Sequence, residues 1–445
     1  DQPGPRYTSY PTAPVWSPEF GPDDHRDSLV RANEQDGKGM SLYVHLPFCR
    51  SMCFYCGCSV IISRDTKNGD RYVAEVLQEA ELARTTLQAN RPVVQHHWGG
   101  GTPTFLTPEQ IERLFKGLLA IYPHTEDAEI SIEVDPRVTS VRQLEVLREC
   151  GFNRISMGVQ DFDEEVQKAI NRIQPFAQTR NLVEASRSLG FTSINLDMVY
   201  GLPHQTAEKF AHSIQQVLGL RPDRLACYGY AHVPWLKKHQ EVISVEDLPR
   251  GSDKLDLYLL SLNAFQDAGY EAIGMDHFAL PEDGLVKAAN SGQLHRNFMG
   301  YATHQAEDML SFGVTSISEV AGAFAQNVKQ LNQYREHLNA GRLPVERGMR
   351  RSEDDEKRRA IILDLMCRFS LDYDAHGGAE AFRQQYSSAI EALAPMAEDG
   401  LIELDDHGIR VTPIGRLFVR NVAMPFDAYL EKQRQAKKPM FSRTV

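Results

Sequence analysis

Short apolar runs alternate along the chain with longer stretches in which apolar residues recur every three or four positions. Residues 42–48, 93–98, 129–134, 154–159, 194–200 and 224–230 have the length and content of strands. Between the first two, Val73, Val76, Leu77 and Ala80 recur at i, i+3, i+4 and i+7, the signature of a buried helix face. Ile111, Leu114, Phe115 and Leu118 give the next helix its stripe. Ahead of them, Thr107-Pro108-Glu109-Gln110 is a capping box with proline at the first helical position. Ser140 and Thr206 are expected to cap later helices, and Gly151 to end one as its C′ residue. Strand–helix alternation implies parallel strands with right-handed crossovers. Six units predict an α/β fold of open or partial TIM-barrel type; local propensity leaves a doubly wound sheet as the alternative.

The pattern changes at both ends. Pro3-Gly4-Pro5-Arg6-Tyr7-Thr8-Ser9-Tyr10-Pro11 excludes a regular helix there, so residues 1–40 read as an arm. From about Pro344, a helix over 356–369 with Ile361, Ile362 and Leu365 buried is followed by a helix over 379–398 and a hairpin over 401–411. That order resembles a small, mainly helical, winged-helix-like unit. The expected division is therefore an arm (1–40), a barrel with its extension (41–343) and a C-terminal unit (344–445).

A hydrophobic share of 42% is ordinary for a globular protein. No run of about 18 apolar residues appears, so no membrane span is expected. The net charge of −12 argues against general nucleic-acid binding, as do Glu403, Asp405 and Asp406 on the C-terminal hairpin. The chain opens on Asp1, so a short preceding piece is expected; no signal peptide is read. Seven cysteines without a disulfide framework suit a reducing compartment, and the expected location is the cytoplasm.

Four of those cysteines lie in Cys49-Arg50-Ser51-Met52-Cys53-Phe54-Tyr55-Cys56-Gly57-Cys58. C-x3-C-x2-C can close three thiolates around one iron–sulfur cube. Such clusters normally take four thiolates; with three, one iron keeps an open position for a small molecule. Cys58 is then either the fourth ligand or free. Zinc is the competing reading, but it wants a second Cys or His pair, and Cys150, Cys227 and Cys367 stand alone. At the second strand's end, Gly99-Gly100-Gly101-Thr102 lacks dinucleotide-fold spacing, yet glycines in a row let a ligand reach the backbone; a tight turn is the plainer reading. Glu133 and Gln160 end the third and fourth strands, Arg172 follows, and Asp197 lies inside the fifth. Barrel enzymes work at these C-terminal strand ends. A buried carboxylate needs donors, which a ribose or an internal arginine supplies; an ordinary structural ion pair is the alternative for Asp197. His96 and His97 point to opposite strand faces and are no metal pair.

C-x3-C-x2-C directly after a first strand resembles the radical S-adenosylmethionine (SAM) superfamily. Tyr43-Val44-His45-Leu46-Pro47-Phe48-Cys49 with Cys56-Gly57-Cys58 narrows the resemblance to the oxygen-independent coproporphyrinogen III dehydrogenases. The arm segment, Asn153–Gln160, Gly274-Met275-Asp276-His277-Phe278-Ala279 and Arg296-Asn297-Phe298-Met299-Gly300-Tyr301 are further similarities. Met299 departs from the pattern, which has Gln there, and puts the local contact in doubt. The resemblance implies that Cys49, Cys53 and Cys56 hold a [4Fe–4S] cluster with SAM on the fourth iron. Tyr43, Gly100, Gly101, Thr102 and Glu133 would meet this SAM. Tyr55, Gln160, Arg172 and Asp197 would meet a second SAM, with Ala231 and Ile317 against adenine. Cys58, Arg6 and Arg296 would act toward substrate, with Lys237 and Lys238 as further cations for its carboxylates. The implied reaction converts two propionates of coproporphyrinogen III to vinyl groups, giving protoporphyrinogen IX in anaerobic haem synthesis. It implies a monomer, a flavodoxin- or ferredoxin-like low-potential electron donor and an unidentified acceptor. The competing readings are a radical SAM haem chaperone or haem-processing methyltransferase, which Met299 keeps open, and a non-enzymatic regulator.

Overall fold

The computed structural model describes residues 4–303, 306 and 308–431. Residues 1–3 and 432–445, the outer ends of the expected arm and C-terminal unit, lie outside the described residues. One 12-stranded sheet dominates. Its strands are β1 (Met40–Leu46), β2 (Val93–Gly100), β3 (His124–Val134), β4 (Arg154–Gln160), β5 (Ser193–Tyr200), β6 (Arg224–Gly229), β7 (Glu271–Gly274), β8 (His277–Ala279), β9 (Asp308–Phe312), β10 (Ile317–Val320), β11 (Ala323–Asn327) and β12 (Val345–Arg350). They lie in the order β12-β11-β10-β9-β1-β2-β3-β4-β5-β6-β8-β7. Strands β1 to β6 are neighbours in chain order and parallel throughout. The end strands do not pair with each other, so the curved sheet stays open as a partial barrel.

The six expected strands are β1 to β6. The sheet then extends where no simple strand–helix repeat announced it. β9 returns parallel to β1, β10 to β12 continue antiparallel, and β8 pairs antiparallel with β6 and, on its other side, with β7. The large sheet therefore runs to Arg350, past the position where the sequence pattern changes.

Within β1 to β6 the two faces differ sharply. Leu42 and Val44, Trp98, Ile130 and Ile132, Ile155 and Met157, Ile194 and Leu196, and Leu225 pack outward into one core with the helices. Each fully buried side chain of this kind contributes about 1.5–3 kcal/mol. The alternate positions carry polar groups that bond across strands inside the barrel. Ser41 donates to Gln95 (3.2 Å), Gln95 to Glu129 (3.0 Å), and Arg154 pairs with Glu129 (2.5 Å). Nearer the mouth, Asn195 donates to Ser156 (2.9 Å) and Asp197 (2.7 Å), and Ser156 to Asp197 (3.1 Å).

The outer helices begin where the caps predict. Thr107 accepts from the Gln110 amide above Pro108–Ile121, Ser140 from Gln143 above Val141–Glu149, and Thr206 from Lys209 above Ala207–Leu220. Gly151 sits at φ 98° just past the second of these helices, a conformation that favours glycine. His96 faces this helix layer, stacked on Phe115 with ring centroids 6.0 Å apart, whereas His97 faces the barrel interior.

The C-terminal unit opens with Glu353–Arg368, capped by Ser352. The helix expected over 379–398 is two, Ala379–Gln385 and Ser387–Glu398, broken at Tyr386 (φ −112°, ψ 25°). The expected hairpin gains a third strand, Ser370–Asp372. Leu365, Tyr373, Phe382, Leu393 and Ile409 form a core here that also takes Tyr7 and Tyr10 of the arm and Ile273 and Leu285 of the barrel. The arm is thus wedged between the other two parts. Tyr7 donates to Asp427 (3.2 Å), and Tyr10 accepts from the Ala428 amide (3.1 Å). Further along, the arm forms a helix, Pro22–Ala32. Among the described residues no helix is long and apolar enough to cross a membrane.

Candidate active site

The C-terminal ends of β1 to β6 surround a cavity of about 580 Å³, within the ~300–1,000 Å³ range of small-molecule sites. The chain leaves β1 into the cysteine loop, and Cys49, Cys53, Cys56 and Cys58 all line the cavity. This loop has little secondary structure and is held through its carbonyls instead. Asn171 donates to Met52 (2.7 Å), Gln240 to Tyr55 (3.0 Å), His239 through Nε2–H to Cys56 (2.7 Å) and Lys237 to Cys58 (3.2 Å). The Phe54 amide donates to Ile170 (3.0 Å).

The glycine segment after β2 lies backbone to backbone against the chain entering that loop. Gly101 N–H donates to Leu46 (2.8 Å) and Thr102 N–H to Phe48 (2.9 Å). A Cβ on Gly101 would stand 2.6 Å from the Pro47 carbonyl, and Gly100 adopts φ 113°. The glycines are therefore needed for loop-on-loop packing as well as for open backbone. Thr102 Oγ1 lies 3.4 Å from Cys49 Sγ.

Around the rim, charges come in matched groups. Glu133 accepts from the Gly100 amide (3.2 Å) and faces His97 Nε2 (3.3 Å), which also bonds Ser131 through Nδ1 (2.7 Å). Burial works to raise the Glu133 carboxyl, but His97 and the Gly100 amide together hold it below its ordinary range. Asp135 takes Arg137 (2.7 Å) and Arg172 (3.1 Å), and both guanidinium groups reach Cys53 Sγ, at 3.5 and 3.8 Å. Burial opposes the Arg172 charge, but Asp135 raises its pKa overall. Asp197 is the exception: burial first, then the Glu133 charge, push its carboxyl up to about 6 against the donors Asn195 and Ser156.

Gly100, Gly101, Thr102, Glu133, Gln160, Arg172, Asp197, Ala231, Tyr55, Arg6 and the four loop cysteines all line this cavity. Five other expected residues stand off the cavity wall, among them Lys237, which donates to the Cys58 carbonyl, and Lys238, which opens the short helical turn Lys238–Val242. Tyr43 lies one layer deeper, stacked on His97 with centroids 5.9 Å apart. Ile317 starts β10, beyond β9 and off the cavity wall. Arg296, expected to meet substrate, is turned onto the arm. It donates to the Arg6 carbonyl (3.3 and 3.2 Å) and covers the Tyr301 ring at 4.6 Å. Arg6 itself pairs with Asp276. Met299 lies in the turn between strands His295–Asn297 and Gly300–Ala302, where its amide donates to Asn297 (2.9 Å). Sequence reading passed over Asp135 and Arg137, although Asp135-Pro136-Arg137 follows a strand end directly. It also passed over Asn171, His239 and Gln240, which only the tertiary contacts single out.

The donor set fits an iron–sulfur cube. Three thiols of one short loop line the cavity, and donors face their sulfurs: Cys58 N–H reaches Cys56 Sγ at 3.4 Å, and the two arginines reach Cys53. The Cys58 contacts draw the Cys56 thiol below its ordinary range. Among the described residues no three His, Cys, Asp or Glu side chains converge on one ion-sized point. A cube spreads its thiolates over separate corners, whereas zinc gathers its ligands at one centre. Arg172 Nε is buried in this wall without a partner among the described residues, an opening for an anionic group.

Residues 43–217 match the radical SAM superfamily, and residues 352–418 match the HemN C-terminal domain family. The oxygen-independent coproporphyrinogen III oxidase of Escherichia coli (strain K12) is 44% identical over 99% of this chain and 96% of its own length. The corresponding protein of Pseudomonas aeruginosa is 43% identical, covering 100% and 97%. The solved coproporphyrinogen III oxidase (HemN) from Escherichia coli, described as a radical SAM enzyme, superposes with a TM-score of 0.90 at 43% identity, covering 95% of this chain and 97% of that one. With its cysteine loop, glycine segment and strand-end charges on one cavity, the chain belongs to the oxygen-independent coproporphyrinogen III oxidase family of radical SAM enzymes.

Proposed function

We propose that the strand-end cavity performs the family's reaction, the oxidative decarboxylation of coproporphyrinogen III, one propionate at a time. In each round a propionate β-hydrogen atom leaves, and loss of CO2 and one electron then gives the vinyl group. When bound, the [4Fe–4S] cluster and SAM supply the low-potential electron and the 5′-deoxyadenosyl radical that takes this hydrogen. Cys49, Cys53 and Cys56 would hold the cluster. Gly100 to Thr102 and Glu133 would bind SAM's amino group and ribose. Arg172 and Asp197, with Gln160, would receive a second SAM, the arginine taking its carboxylate.

The rest of the wall positions and protects. Asp135 keeps two guanidinium groups beside Cys53. Arg6 covers the mouth, its guanidinium 5.6 Å from the Tyr228 ring centroid. Lys237, His239 and Gln240 fix the outer side of the cysteine loop, so water has fewer ways in. Electrons would come from a flavodoxin- or ferredoxin-like carrier and pass on to a separate acceptor. The protein would work as a cytoplasmic monomer, with the arm and C-terminal unit closing over the barrel.

The observation that carries this reading is the meeting, on one cavity wall, of three loop cysteines with Thr102, Glu133, Arg172 and Asp197. The test is anaerobic reconstitution with iron and sulfide, then addition of SAM, reductant and coproporphyrinogen III. Two successive tetrapyrrole mass losses of CO2 plus hydrogen, with methionine and 5′-deoxyadenosine formed, are expected. Deoxyadenosine without a change in the tetrapyrrole would move the substrate elsewhere.

A further inference from the structure

We propose that Arg137 is a positioning residue for electron entry: held by Asp135, its guanidinium donates to the Cys53 sulfur and sets the potential at which the cluster takes its electron. The proposal rests on the cluster assigned above to Cys49, Cys53 and Cys56. Each of these sulfurs has a hydrogen-bond partner, and the partners differ in kind. Cys49 faces the Thr102 hydroxyl (3.4 Å) and Cys56 accepts from the Cys58 amide (3.4 Å), both neutral groups. Cys53 accepts from the Arg137 and Arg172 guanidinium groups, at 3.5 and 3.8 Å. Among the described residues the cationic donors therefore meet at one sulfur of the three.

Arg137 is fixed by its own segment. Asp135-Pro136-Arg137 leaves β3 directly after Val134. The Asp135 carboxylate accepts from the Arg137 amide (3.0 Å), from Nε (3.0 and 3.2 Å) and from Nη2 (2.7 Å), so one group grips both main chain and side chain. The Asp135 carbonyl accepts from the Val138 and Thr139 amides (both 3.1 Å) and from Thr139 Oγ1 (2.8 Å), which closes the turn. A guanidinium forked onto a carboxylate keeps its orientation as well as its charge. Arg172 is placed differently. Its Nη2 donates to the Gly158 carbonyl (2.7 Å), and its Nε is left toward the cavity for the second SAM. Nε and Nη2 of Arg137 are spent on Asp135 and Cys53, so its direction is toward the sulfur.

The potential of an iron–sulfur cluster follows its net charge, its exposure and the hydrogen bonds to its sulfurs. The step concerned is the one-electron reduction of the oxidised cube by the low-potential carrier; the carrier is oxidised, the cube gains one negative charge, and no further reactant is needed. A cation donating to a ligand sulfur favours the more negative state. Water screens it little here, because Cys53 is 8% and the Arg137 side chain 16% exposed. Groups behind the ligands tune a metal centre in this way without touching the metal. Arg137 thereby brings the cluster within reach of its carrier, and Asp135 keeps the guanidinium in place.

The test is a redox titration of reconstituted holoenzyme without SAM or substrate, followed by electron paramagnetic resonance, for the unaltered protein, Arg137→Gln, Arg137→Lys and Arg142→Gln. Arg142 lies on the outer helix Val141–Glu149 and removes the same charge at a surface site. At a fixed potential Arg137→Gln should show a ratio of reduced to oxidised cluster about tenfold lower, a midpoint about 59 mV more negative for a one-electron couple. Arg137→Lys should fall between, and Arg142→Gln should match the unaltered protein. Given a weak reductant, Arg137→Gln should cleave SAM about tenfold more slowly, and a stronger reductant should restore the rate. The midpoint is read on whatever cluster loads, so lower loading does not hide it. An unmoved midpoint in Arg137→Gln, or an equal shift in Arg142→Gln, would overturn the role. A raised KM for SAM at an unmoved midpoint would make Arg137 a SAM ligand instead, and complete loss of iron would make it a structural prop of the loop; either overturns it. An unaltered protein that shows no [4Fe–4S] signal on reduction would strike the assigned cluster itself, whereas loaded variants with unmoved midpoints strike Arg137 alone.

Discussion

Two neighbouring cavities are cut from the same strand ends, yet different parts of the chain complete them. The larger pairs every guanidinium group with carboxylates, Arg137 and Arg172 with Asp135 and Arg6 with Asp276, around three thiols. The smaller shares Arg6 and is completed by Lys254 of the helix Ser252–Asp267 and by Arg416 and Arg420 of the C-terminal unit. SAM carries its own ammonium, carboxylate and sulfonium charges, and a balanced wall suits it. The difference teaches that strand ends supply most of the larger cavity while the smaller also needs remote helices, and substitutions should separate the two.

The largest expected effect is on the thiols. Cys49→Ser, Cys53→Ser or Cys56→Ser should abolish iron loading and turnover, whereas Cys58→Ser should keep its iron; iron and sulfide analysis reads this directly. Loss of iron in Cys58→Ser would make it a fourth ligand and rewrite the main cavity. Next comes Asp135→Asn. Asp135 and Arg172 are only 10% and 7% exposed, and leaving such buried charges without their partner costs about 3–5 kcal/mol. Denaturant unfolding of the apoprotein should show that loss, and cluster loading should fall with it.

Asp197 gives a smaller, pH-dependent effect. Its folded pKa is raised from 3.8 to about 6, so its contribution to stability is full below pH ~4 and is lost as pH rises through ~6. Above that range the carboxylate is charged in a wall that disfavours the charge. Asp197→Asn should therefore unfold later than the parent at pH 8, by about 1–2 kcal/mol, with the gain shrinking toward pH 4 and SAM affinity reduced. Smallest of all, Thr107→Ala should remove about 1 kcal/mol of stability through its helix cap and leave both cavities' kinetics alone.

Much of the larger cavity was legible in sequence. Strands ending in Glu133, Gln160 and Gly100, and the cysteine loop after β1, follow from local pattern, and local pattern suffices because parallel strands deliver their ends to one rim. The polar lining was legible in principle. Ser41 and Gln95 alternate with apolar neighbours just as Tyr43 and His97 do, but read as part of apolar runs they pass unnoticed. Strand β9 and the antiparallel extension are short and lack the strand–helix rhythm. For Arg296 sequence shows a cation and not its direction: the structure turns it onto the arm backbone. The smaller cavity had no sequence signature, since Arg6, Lys254 and Arg420 meet only through tertiary packing.

The most direct test of the account follows one hydrogen atom. Coproporphyrinogen III deuterated at the propionate β-carbons, incubated with the reconstituted enzyme, SAM and reductant, should yield 5′-deoxyadenosine carrying deuterium and a tetrapyrrole with new vinyl groups. Unlabelled deoxyadenosine beside an unaltered tetrapyrrole would contradict the claim that the strand-end cavity brings SAM and a substrate propionate together.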